Sequence, residues 1–145
     1  MSTGCTPNIR SYSILINGYF KKQKVDEAME VFNGMEQLGI RPNVVTYSSL
    51  MDGYCSCGQL DKAREVFDLM TSKGCTPNLH SYSILINGYC KMQMIDEAKE
   101  VFDGISRTGI SPDVVTYGTL VDGLLKLGRA DEALVMLKTM EQKFL

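Results

Sequence analysis

Hydrophobic and polar positions along this chain keep a helical spacing. Tyr12, Leu15, Ile16 and Tyr19 stand at i, i+3, i+4 and i+7, which draws one apolar stripe down an α-helix. The polar stretch Lys21 to Lys24 interrupts, and Ala28, Val31, Phe32 and Met35 then repeat the spacing, predicting a second helix. Gly39 follows, where a left-handed cap residue ends a helix, and Pro42 blocks continuation. The segment predicts a helical hairpin, helix A followed by helix B.

The hairpin recurs with a period of 35 residues. Pro7, Pro42, Pro77 and Pro112 fall in register, followed by Asn8, Asn43, Asn78 and Asp113, with Tyr12, Tyr47, Tyr82 and Tyr117 five positions beyond each proline. Gly18, Gly53, Gly88 and Gly123 keep the period, as do Ala28, Ala63, Ala98 and Ala133, and Phe32, Phe67 and Phe102 with Leu137 last. Gly74 and Gly109 repeat the cap at Gly39. One hairpin cannot bury both of its stripes, so neighbouring copies are expected to stack into an all-α solenoid. Glycine inside a helix costs about 1 kcal/mol relative to alanine, so its presence in every helix A predicts close helix approach there.

A length of 145 residues allows one domain, and 44% hydrophobic with 22% charged residues excludes disordered, collagenous and membrane-spanning classes. Fifteen Lys and Arg against seventeen Asp and Glu give a net charge of −2, so a nucleic-acid surface would have to be a local basic track. Five cysteines, an odd number, argue against a closed disulfide framework and for a reducing compartment. The segment Met1 to Cys5 is too short for an organelle transit peptide; targeting is absent or the chain was cut from something longer.

The wording Val44-Val45-Thr46-Tyr47-Ser48-Ser49-Leu50-Met51-Asp52-Gly53-Tyr54-Cys55, then Ala63-Arg64-Glu65-Val66-Phe67, closing with Gly74 and Pro77-Asn78, resembles the pentatricopeptide repeat in its 35-residue P-class form. It also resembles the plant restorer-of-fertility-like branch. Tetratricopeptide repeats run 34 residues with a tryptophan signature, and this chain has no Trp. The resemblance implies a right-handed α-α superhelical solenoid of four helix-turn-helix repeats, 9–43, 44–78, 79–113 and a truncated 114–145, with 1–8 ending a preceding repeat. It further implies single-stranded RNA as partner, one base per repeat, and a role in organellar RNA processing, stability or translation. The implied address is mitochondrial, with chloroplast second.

In that family two residues per repeat set base preference. They correspond here to Ser13 with Asn43, Ser48 with Asn78, and Ser83 with Asp113, while Gly118 awaits a partner beyond Leu145. An ionised Asp only accepts hydrogen bonds, suiting guanine or uracil, whereas an Asn amide donates and accepts, suiting adenine or cytosine. By resemblance the implied target is A-A-G. The same Asn and Asp are also natural helix N-caps, and both roles can coexist. Base-clamping positions correspond to Arg10, Val45, His80 and Val115; Arg10 and His80 depart from the family's small aliphatic, though their planar groups can stack on a base. Lys21, Lys91 and Lys126 end helix A in three repeats, positioned either to contact phosphate or to complement the helix dipole.

Nothing resembles an active site or cofactor site. His80 is the only histidine, Cys55 and Cys57 belong to no tetrahedral set, and Asp26-Glu27, Asp96-Glu97 and Asp131-Glu132 sit where first-turn acids favour a helix dipole. An RNA-binding module without catalysis, cofactor or metal is the leading expectation. The alternative is a protein-binding scaffold of the tetratricopeptide kind, which would need a carboxylate clamp or apolar pockets in place of Ser13, Ser48, Ser83 and Gly118. A third possibility is a relic whose fragment folds but binds too weakly to matter. Leu134, Leu137 and Met140 on the fourth helix B have no following repeat, predicting self-association through the solenoid ends or a marginal last repeat.

Overall fold

The computed structural model describes residues 8–144, and among them every element is an α-helix. In chain order these are α1 (Ile9–Lys21), α2 (Val25–Gln37), α3 (Val44–Ser56), α4 (Leu60–Ser72), α5 (Leu79–Lys91), α6 (Ile95–Ser106), α7 (Val114–Lys126) and α8 (Ala130–Phe144). Odd-numbered helices are the A helices and even-numbered the B helices. They form two compact units, the first ending at Pro77 and the second beginning at Asn78, with two hairpins in each. Cys5 and the expected end of a preceding repeat lie outside the described residues.

Each A helix starts at a side-chain cap. Asn8, Asn43, Asn78 and Asp113 take extended backbone conformations and accept, through Oδ1, the N–H of Ser11, Thr46, Ser81 and Thr116 at 2.9–3.1 Å. Helices α2, α4 and α6 are each followed by a glycine, and φ of +78°, +80° and +84° at Gly39, Gly74 and Gly109 places them in the left-handed region as expected. The A-to-B turn uses the same conformation, with Gly58 and Gly128 at +74° but Gln23 and Gln93 near +60°. The period gave no warning that two turns would hold glutamine there.

Within each unit the repeated aromatics interlock. Phe32 of α2 meets Tyr47 of α3 edge-on at 5.8 Å, and Phe102 of α6 meets Tyr117 of α7 at 5.0 Å, so the B-helix Phe of one hairpin packs on the A-helix Tyr of the next. Such pairs contribute about 0.5–1.5 kcal/mol beyond their buried area. Phe20 and Tyr54, at the ends of α1 and α3, form a third edge contact at 5.2 Å. The predicted stripes are mostly buried: Ile16, Ala28 and Met35 are inaccessible and Phe32 nearly so. Leu15 differs, being 46% exposed where its counterpart Leu50 is fully buried. Helix α3 has α1 packed before it, whereas no described hairpin precedes α1.

The close approach expected at the A-helix glycines holds at two of them. A Cβ on Gly53 would lie 2.2 Å from Cγ of Phe20, and one on Gly123 would lie 3.0 Å from Cδ1 of Ile95 and 3.1 Å from Sγ of Cys90. At Gly18 a Cβ would meet nothing within 4 Å, so packing does not explain that glycine.

Acids open helices α2, α6 and α8 as expected, and in the second unit two of them do more. Arg129 donates to Asp96 at 3.0 Å and holds Glu132 through Nε and Nη2, while Lys99 reaches Glu132 at 3.0 Å. This network ties α6 to the start of α8. The two cations hold the Glu132 carboxyl down at about 2, and the carboxylates push the Arg129 guanidinium above its ordinary value. Leu134 and Leu137 of α8 are exposed and Met140 is half-buried, while Phe144 meets Tyr117 edge-on at 6.0 Å.

Candidate nucleic-acid interface

Four residues singled out from the sequence converge in the first unit. Arg10, Ser13, Asn43 and Val45 line one cleft of about 390 Å³ between α1 and α3, joined by Ile9, Ile14, Asn17 and Ser49. The expected readers are Ser13 and Asn43, and the expected clamps are Arg10 and Val45. Its size suits a small planar ligand, and its lining mixes apolar walls with a few polar groups. Asn17, one helical turn beyond Ser13, and Ser49, next to Ser48, were missed; the 3.6-residue period could have pointed to Asn17.

A buried hydroxyl joins Ser13 to Asn43. Thr46, inaccessible to solvent, has its Oγ1 3.2 Å from Oδ1 of Asn43 and 3.3 Å from Oγ of Ser13. Because Oδ1 of Asn43 also receives the Thr46 N–H at 3.1 Å, both of its lone pairs are engaged. Capping thus takes the acceptor half of the Asn43 amide, and the half left over is Nδ2, a donor. In the second unit Asp113 uses Oδ1 in the same way, for the N–H and hydroxyl of Thr116 at 2.9 and 2.7 Å, leaving Oδ2 as an acceptor. These hydrogen bonds hold the Asp113 carboxyl below the usual carboxylate range, so it is ionised at neutral pH. Capping therefore occupies one polar atom of each of these side chains and leaves the other.

The remaining predicted residues are placed as follows. Ser48 is buried on α3 in the first unit, and Asn78 is the exposed cap of α5 in the second. Ser83 is half-buried on α5, and Gly118 is exposed on α7 with open space beside it. His80 and Val115, second residues of α5 and α7, are exposed. Lys21, Lys91 and Lys126 each end an A helix and are exposed. Lys126 pairs with Asp122, one turn earlier, at 3.0 Å; the residue one turn before Lys21 or Lys91 is the neutral Asn17 or Asn87.

Among the described residues no group of three His, Cys, Asp or Glu could hold a metal ion, and no helix is long and apolar enough to cross a membrane. Cys55, Cys57, Cys75 and Cys90 are half-buried and not joined in disulfides, and burial next to Asp122 pushes the Cys90 thiol up to about 11, keeping it protonated.

Models for the PPR repeat family match residues 7–56, 42–91 and 84–126, and a PPR repeat model matches 115–143. The chain belongs to the PPR repeat family. A pentatricopeptide repeat-containing protein of Arabidopsis thaliana is 49% identical over 35 residues, which is 24% of this chain and 6% of that protein. The crystal structure of the pentatricopeptide repeat protein PPR10 from maize is similar over 97% of this chain, with 33% identity and a TM-score of 0.88. PPR10 in complex with an 18-nt psaJ RNA element matches at 32% identity and a TM-score of 0.84, again over 97% of this chain. This PPR chain spans about a fifth of the length of those PPR10 chains. The PPR domain of the Arabidopsis thaliana protein-only RNase P 1 is similar in fold, at 18% identity and a TM-score of 0.78 over 98% of this chain and 75% of that one.

Proposed function

We propose that this chain binds single-stranded RNA sequence-selectively, one base per repeat, and acts by occupying the RNA without a reaction of its own. The observation that carries this reading is the first-unit cleft, where the expected reader pair of the first repeat and the expected clamps of the first and second repeats line a single space. The polarity left after capping supports the proposed order A-A-G: Asn43 offers a donor to an adenine ring nitrogen, and Asp113 offers an acceptor to the N–H groups of guanine. The RNA held by the similar maize protein supports RNA as the ligand class. On family resemblance the RNA is organellar, mitochondrial before chloroplast, and cell fractionation of the full gene product tests that address.

Each stacked base contributes about 1–3 kcal/mol, and association itself costs several kcal/mol, so three complete readers give weak, salt-dependent binding. Fluorescence anisotropy at low salt should show tighter binding to RNA containing A-A-G than to poly-C of equal length. Equal binding to the two would overturn the base assignment, and binding to neither would overturn the RNA reading. We further propose self-association through Leu134, Val135 and Leu137, all exposed on α8. A strict monomer in sedimentation at high concentration excludes it.

A further inference from the structure

The hydrogen bonds around Thr46 have a direction. Its backbone N–H points at Oδ1 of Asn43 at 3.1 Å, which identifies that atom as the oxygen, since an amide nitrogen there would set two donors head to head. An amide oxygen cannot donate, so in the 3.2 Å contact the Thr46 hydroxyl gives its single proton to Asn43. Oγ1 of Thr46 then has only lone pairs for Ser13, and in the 3.3 Å contact Ser13 must be the donor. The proton of Ser13 is thereby drawn away from the cleft. Ser13 faces the cleft as an acceptor and Asn43 faces it as a donor.

We propose that Thr46 is a positioning residue that fixes the polarity of the first reader pair, and that this polarity selects bases with an amino group over bases with a carbonyl at the same edge. The inference rests on the RNA reading above and deepens it. A base held one way round between Arg10 and Val45 shows its edge in a fixed order. Adenine and cytosine place an amino donor beside a ring-nitrogen acceptor, while guanine and uracil place a carbonyl acceptor beside a ring N–H donor. An acceptor at Ser13 with a donor at Asn43 matches the first order and opposes the second at both positions. A serine hydroxyl free to turn would satisfy either at its own position, so discrimination depends on the bond that holds it.

The test uses the full chain and 12-nucleotide oligouridines carrying A-A-G or G-A-G, read by anisotropy together with helical circular dichroism. The unaltered protein should prefer A-A-G by about tenfold, equivalent to about 1.4 kcal/mol. Thr46→Val keeps the shape and the backbone bond to the Asn43 cap but releases both readers, and should narrow the preference to less than about threefold. Thr46→Ser restores the hydroxyl and should restore the ratio, which a merely structural role for Thr46 would not require. Ser13→Ala removes the acceptor without touching the α3 cap, and should narrow the ratio even if Thr46→Val does not fold. An unchanged ratio in Thr46→Val or in Ser13→Ala overturns the proposal. Equal binding of both RNAs by the unaltered protein also overturns it while leaving RNA binding intact; failure to bind any RNA removes the underlying reading.

Discussion

Gly18 and Gly53 occupy the same repeat position and both lie in the interior of an A helix, yet alanine should act on them with opposite sign. In a helix interior Gly→Ala gains about 0.8–1 kcal/mol from propensity and the lower entropy of the unfolded chain. Gly18 is exposed and a Cβ there meets nothing within 4 Å, so Gly18→Ala should realise most of that gain. At Gly53 the same Cβ lies 2.2, 2.3 and 2.6 Å from Cγ, Cδ2 and Cδ1 of Phe20. Those atoms are the root of a ring that is only 5% exposed and braced against Tyr54 at 5.2 Å, so more than 1 Å of movement must come from packed groups. Overpacking costs about 1–3 kcal/mol, and contacts this short place Gly53 in the upper part of that range, about 2–3 kcal/mol, which outweighs the propensity gain and leaves Gly53→Ala destabilising by about 1–2 kcal/mol. The two variants should therefore differ by about 2–3 kcal/mol in urea unfolding followed by circular dichroism. A double-mutant cycle with Phe20→Ala locates the cause, because removing Cγ, Cδ1 and Cδ2 should relieve much of the Gly53→Ala penalty and leave Gly18→Ala unaffected. If Gly53→Ala proves as stabilising as Gly18→Ala, the packing account of the A-helix glycine is wrong.

Gln93→Gly should stabilise the second unit by about 0.5–1 kcal/mol, because Gln93 holds a left-handed conformation that Gly128 supplies at the equivalent turn; thermal unfolding checks this, and a loss of stability refutes it. Glu132 titrates near 2 in the folded chain against an ordinary value of 4.5, so its network stabilises above about pH 4.5 and is lost as pH falls toward 2. Glu132→Gln should flatten that part of the stability profile, and an unchanged acid limb in the variant contradicts the network's role. In low-salt RNA binding Lys91→Ala should cost more than Lys126→Ala, and Asp122→Asn should raise affinity about two- to threefold by releasing Lys126; equal effects of the two lysine changes refute this. Asp113→Asn exchanges an outward acceptor for an outward donor and should move the third base preference from guanine toward adenine with little change in melting. Collapse of melting with the preference unmoved would mean that Asp113 only caps.

By itself the sequence determined what is written within a few residues. Helical spacing at Tyr12, Leu15, Ile16 and Tyr19, Asn or Asp ahead of each A helix, and a glycine after the first three B helices act over one turn, so they are legible wherever the period repeats them. The alternation of A and B helices followed from those signals, and most of the core with it. Tertiary structure decided everything that joins residues about one period apart. The Ser13 to Thr46 contact spans 33 residues, as do Arg129 to Asp96 and Lys99 to Glu132, and none carries a local signature. Two glycines that read identically in the repeat differ because Phe20 lies against one and nothing lies against the other. The proposed reader pair was nameable from the family's wording, but which of its atoms capping leaves over was not. That depends on which lone pairs capping has already taken, and so on the distance and direction between hairpins rather than on residue type.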